Sequence, residues 1–144
     1  MTNFALHPQL QKDCHILGES KSSLLLLMNN ALLPWFILVP KVAEAEELFE
    51  LNSSILEAVQ LEINSIGRFV KNTLLVDKVN IAAIGNKVRQ LHIHIVGRRE
   101  GDFCWPGVVW GQANTQPYRS EQIQQLVNQL KAETDIDFTL INLA

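Results

Sequence analysis

Cysteine is scarce in this 144-residue chain: only Cys14 and Cys104 occur, far apart and in no metal-type spacing. That scarcity argues against a disulfide framework and for reduced, intracellular thiols. A basic excess is also lacking. Twelve Lys and Arg against fifteen Asp and Glu leave a net charge of -3, which disfavours a nucleic-acid coat or a membrane-surface binder. The N-terminal MTNFALHPQLQKD lacks the basic-then-apolar order of a signal peptide. Repeats and low-complexity tracts are missing too. The longest uncharged stretch, Ser22 to Val39, is interrupted by Asn29, Asn30 and Pro34, so two buried strands fit better than one membrane-spanning helix. What remains is ordinary globular material, 47% hydrophobic and 19% charged, long enough for one core. The expectation is a single soluble, cytoplasmic domain spanning residues 1–144.

Along the chain, CHILGES reads as a short strand, and SSLLLLM and WFILVPK as adjacent antiparallel strands around an Asn/Pro turn. Ser54 with Glu57 fits a capping box and predicts a helix start near Ile55. Ile55, Val59, Ile63, Ile66 and Val70 then give a long helix one apolar face. Gly67 within that face weakens the helix but permits close packing on a sheet. DKVNIAAIGNK returns to strand character, LHIHIVG is the clearest strand, and Ser120 opens a last amphipathic helix. DIDFTLINLA either adds a terminal strand or packs down. Strands, a long helix, then strands again predict an α+β domain with an antiparallel sheet.

The stretch RQLHIHIVGRR carries the chemistry. Alternation along a strand puts Gln90, His92 and His94 on one face and Leu91, Ile93 and Ile95 on the other. Same-face neighbours lie about 6.5–7 Å apart, so one phosphate group can touch both imidazoles. Three readings stand. The histidines can be polar tenants of a solvated sheet face. They can bind metal, although His7, His15, Cys14 and Cys104 show no supporting spacing. Or a neutral imidazole can act as a nucleophile on phosphorus. Gly85, Asn86 and Lys87 upstream, and Arg98 and Arg99 downstream, offer N–H donors and cations for the non-bridging oxygens. Each of these is also ordinary solvated surface.

QLHIHIVGRR followed by CWPG resembles the signature of the histidine triad (HIT) superfamily: His, apolar, His, apolar, His, then two apolar residues. WFILVPK is similar to the family's strand ending in a Pro-Lys pair, and the resemblance runs from about Leu24 to Pro106. It implies a HIT-like fold with an antiparallel five-stranded sheet, one long helix and shorter terminal helices, usually paired into a homodimer. It implies nucleotide binding and cleavage at the α-phosphate through a covalent nucleotidyl-histidine, with no metal or cofactor. By the resemblance His92 is the nucleophile, and His94 contacts the phosphate and leaving-group region. Asn86 takes the place of a polar residue aiding the leaving group, Asn80 that of a strand asparagine near the phosphate, and Asn29 that of a ribose contact. Gly85 and Lys87 border the phosphates, and Trp105 either anchors packing or lines the pocket.

Two departures mark a divergent branch. Gln90 replaces the first triad histidine, altering its hydrogen-bond relay while still able to donate or accept. Lys87 replaces a small hydroxyl residue; its charge favours anionic substrates such as dinucleoside polyphosphates, unless alternation turns it to solvent opposite Asn86. Two functions therefore compete, beside a purely structural or interaction module that would neither bind nor turn over nucleotides. One is a hydrolase or phosphoramidase acting on nucleoside phosphoramidates or diadenosine polyphosphates. The other is a nucleotide-binding or sensing protein with little turnover, for which Gln90→His should raise the rate.

Overall fold

The computed structural model describes residues 3–133, 135 and 138–142. A short helix α1 (Pro8–Asp13) precedes strands β1 (Cys14–Glu19), β2 (Ser23–Met28) and β3 (Trp35–Pro40). Helix α2 (Ser53–Arg68) follows and relaxes into a π turn over Phe69–Thr73. Strands β4 (Lys78–Ala82) and β5 (Ile93–Arg98), helix α3 (Ser120–Glu133) and a two-residue strand β6 (Thr139–Leu140) complete the order. The sheet runs β4-β5-β3-β2-β1-β6, antiparallel at every pairing.

The sheet has six strands where five were expected. The extra strand is the part of DIDFTLINLA that pairs with the bulged end of β1, Gly18 opposite Leu140 and Glu19 opposite Thr139. A side chain at position 18 would sit within 2.9 Å of the Leu140 Cα, so glycine is what lets this backbone approach. Residues 136, 137, 143 and 144 of that segment lie outside the described residues.

Both sheet faces are covered, which is why β2 and β3 read as unbroken apolar runs rather than alternating ones. One face puts Leu25, Leu27, Phe36, Leu38, Ile93 and Ile95 against Val59, Ile63 and Ile66 of α2. The opposite face turns Leu26, Trp35, Ile37 and Val39 toward Leu10 of α1, Val88 and Val109. The apolar stripe of α2 is the one its spacing predicts, with Val70 carrying it into the π turn. Its start is not. Asn52, not Ser54, is the N-cap, accepting from Ile55 N at 3.0 Å, and Ser54 Oγ merely donates to the same Asn52 oxygen. The cap therefore sits two residues earlier than the capping-box pattern placed it.

Gly67 also departs from expectation. A Cβ there would meet only Ile81 Cδ1 at 3.9 Å, an ordinary contact, so close packing does not require glycine. Gly67→Ala should therefore stabilise the protein by about 0.5–1 kcal/mol through reduced unfolded-state entropy. Urea denaturation checks this, and a lowered midpoint would contradict it.

Candidate active site

The ladder of β5 begins at Ile93, because residues 90–92 leave the sheet to meet other segments. Leu91 N donates to Ala45 O, while its side chain enters the helix-side core. Alternation still carries His92 and His94 to the opposite face, where their ring centroids stand 4.9 Å apart. Gln90 does not join them. Its amide turns to the N-terminal segment, Nε2 donating to Ala5 O and Oε1 accepting from His7 N, both at 2.9 Å. The side chain at the first triad position is thus no part of a histidine relay.

Each imidazole is held by one nitrogen. His92 Nδ1 lies 2.7 Å from the Gln90 carbonyl, an acceptor only, so this nitrogen carries the proton and Nε2 keeps its lone pair. His94 is the reverse: Nδ1 accepts from the Trp35 indole N–H at 2.9 Å, leaving the proton on Nε2. The Ile84 carbonyl gives that ring weak support, but Nε2 makes no hydrogen bond of ordinary geometry within the protein. Trp35 and Trp110 box in His94, with ring centroids 5.8 and 5.4 Å away.

Both histidines are 5% exposed, and burial pushes both below the ordinary imidazole range. For His92 the Gln90 carbonyl opposes that shift and nearby His7 adds to it. His94 falls furthest, from 6.5 to about 4, through burial and then the neighbouring His92. Both rings are neutral at pH 7. As pH falls from 6.5, the unfolded chain protonates at this histidine before the folded one does. The stability contributed by neutral His94 is complete above pH 6.5 and is lost as pH falls through about 4, on the order of 3 kcal/mol in all. The melting temperature should drop across that window, and less steeply in His94→Gln. Equal slopes in the two proteins would refute the assignment.

The two rings open onto a cavity of ≈ 690 Å³, within the range of small-molecule sites. Its apolar wall includes Leu10, Met28, Trp35, Val109 and Trp110, and its polar side His7, Asp13, Asn86 and Lys87. A hollow of ≈ 320 Å³ adjoins it, sharing Asn86 and His92 and adding Gly85, Glu46 and Glu47. Asn86 and Lys87 therefore border the same cavity, and the turn overrides the alternation that would have set Lys87 opposite Asn86. Among the described residues no group of three or more His, Cys, Asp or Glu is placed to hold a metal ion.

Three residues picked out from the sequence lie elsewhere. Asn29 Oδ1 accepts from Tyr118 N at 2.9 Å, pinning the segment before α3, and does not line the cavity. Asn80 Oδ1 accepts from Arg98 Nη1 at 3.1 Å. Trp105 lies under the Arg98 guanidinium, 5.6 Å from ring centroid to Cζ, which is the packing alternative of its two readings, and Trp110 rather than Trp105 lines the cavity. Arg98 is itself spoken for, paired with Asp102 through two hydrogen bonds of 2.8 and 3.0 Å. Sequence reasoning missed His7 and Trp35. His7 entered only as a metal candidate without supporting spacing, and Trp35 becomes legible only once β3 is paired with β5, which sets it opposite Val96 and beside His94.

A HIT domain is matched over residues 9–101. A histidine triad protein from Marinobacter aquaeolei VT8 is 38% identical with a TM-score of 0.88, the match covering 93% of this chain and 98% of that one. One from Bradyrhizobium japonicum is 34% identical, TM-score 0.88, covering 92% and 99%. One from Sinorhizobium meliloti 1021 is 36% identical, TM-score 0.87, covering 90% and 96%. No curated protein matches the chain. The chain belongs to the HIT family of nucleotide-binding proteins.

Proposed function

We propose that the protein is a nucleotide hydrolase or phosphoramidase that cleaves at the α-phosphate through a covalent nucleotidyl-His92 intermediate. One observation carries this reading: the Gln90 carbonyl holds the proton on His92 Nδ1, which leaves a neutral Nε2 lone pair facing the cavity. That nitrogen attacks the α-phosphorus while the bond to the leaving group breaks. A phosphate leaving group departs as an anion, and an amine takes its proton from solvent. The modified ring becomes cationic, and the Gln90 carbonyl stabilises it. Water then breaks the P–N bond, releasing a nucleoside monophosphate and restoring neutral His92.

His94 serves here as a neutral donor: its Nε2–H is buried without an ordinary hydrogen bond until a phosphate oxygen supplies one, and its proton-binding range lies too low for it to act as an acid at pH 7. Asn86, Lys87 and the Gly85 backbone border the phosphates. The alternative, nucleotide binding without turnover, draws on Gln90 and on the lack of an acidic ribose contact. With its side chain engaged by Ala5 and His7, and its carbonyl still on His92, the glutamine favours the enzyme.

A cytoplasmic homodimer completes the proposal. Unpaired thiols at Cys14 and Cys104 fit a reducing compartment. The edge strand β4 carries exposed Ile81, which a second copy can cover. No helix among the described residues is long and apolar enough to cross a membrane.

The test is a turnover panel of adenosine and guanosine phosphoramidates, dinucleoside polyphosphates and nucleotide sugars, followed by rapid quenching and mapping of the adduct. A nucleotide on His92 is expected. An adduct on another residue would refute the mechanism.

A further inference from the structure

We infer that segment 5–7 is part of the site: the Gln90 amide clamps it in place, and His7 presents an Nε2–H donor to the phosphate oxygens of a bound nucleotide. This role rests on the nucleotide reading above. The clamp is specific. The Gln90 amide bonds the carbonyl of Ala5 and the N–H of His7, the groups flanking Leu6 on one edge of an extended chain. A carboxamide presents its oxygen and its N–H side by side, whereas the two nitrogens of an imidazole diverge. A histidine at position 90 cannot make this fork.

What the clamp delivers is His7. Its Nδ1 accepts from Gln9 N at 3.0 Å and caps α1, which puts the proton of the neutral ring on Nε2. The ring borders the cavity together with His92, His94, Asn86 and Lys87. The pattern Gln-x-His-x-His therefore has its third imidazole after all, brought in from position 7. His7 would contact phosphate directly, and Gln90 is the positioning residue that acts through it.

His7→Asn separates the two jobs of the side chain. Asparagine is a strong N-cap and keeps the bond from Gln9 N, but it is too short to reach into the cavity. Melting temperature should be unchanged, while turnover of adenosine 5′-phosphoramidate falls about ten- to hundredfold, as expected for a lost hydrogen bond to a charged group. Quenching of cavity tryptophan fluorescence should show the same loss for adenosine 5′-phosphate and none for adenosine. Gln90→Ala should reproduce the loss, and adding it to His7→Asn should cost little more, because both remove one contact. Gln90→His should lower the rate rather than raise it. Turnover and phosphate affinity of His7→Asn within twofold of wild type, with His92→Ala inactive, would overturn the role of His7 alone. An equal loss of adenosine affinity would overturn it too, marking a merely structural strap. A wild type that binds neither ligand and turns over nothing would remove the nucleotide function and this role with it.

Discussion

His92→Ala should abolish turnover, lowering kcat by roughly four orders of magnitude or more, as removal of a nucleophile does elsewhere. The size follows from what the residue alone supplies. Its Nε2 is the one imidazole nitrogen at the site that borders the cavity with a lone pair in the neutral form, since His94 and His7 both accept at Nδ1. Neither neighbour can take over without changing tautomer and giving up a bond. Nucleotide affinity should persist, because the apolar wall with Trp35 and Trp110 remains intact. Parallel turnover and fluorescence titrations separate the two effects. Turnover within tenfold of wild type would show that phosphorus is attacked by something else.

Breaking the Arg98–Asp102 pair should cost about 3–5 kcal/mol, the usual range when one partner of a buried ion pair is removed. The two side chains are 2% and 6% exposed, so neither charge can fall back on water. Asp102 is held at about 2, first by the hydrogen bonds from Arg98 and further by N–H groups of Cys104 and Arg99. It thus closes the loop after β5 as well as neutralising the guanidinium. Asp102→Ala should accordingly hurt more than Arg98→Met, which leaves those N–H bonds in place. The double variant should cost less than the sum, since it leaves no unpaired charge. A drop in melting temperature of about 10 °C or more is expected for Asp102→Ala. A drop of only 1–2 °C, within the range of an exposed pair, would show that the site is wetter than its burial implies.

Much of the sheet was legible because its signals are local. Apolar runs bounded by turn residues mark β2 and β3, and a three-to-four-residue period marks α2. The sixth strand was only an option, because two residues pairing beside Gly18 leave almost no pattern in the chain. At the site, His92 and His94 were readable from alternation and from their resemblance to the triad. Asn29, Asn80 and Trp105 were carried over by order along the chain. Their hydrogen-bonding and ring partners, Tyr118 and Arg98, are set by packing that linear order does not contain.

The sequence by itself carried the antiparallel sheet and the two histidines on one face, which depend on periods of two or about four residues, and its triad-like motif carried the resemblance to the family. Only the tertiary structure decided what Gln90 does. Its partners are Ala5 and His7, more than eighty residues away, and nothing in RQLHIHIVGRR points to them. Long-range hydrogen bonds form between segments that folding brings together. There the glutamine is a clamp, and the imidazole missing from position 90 is offered from position 7.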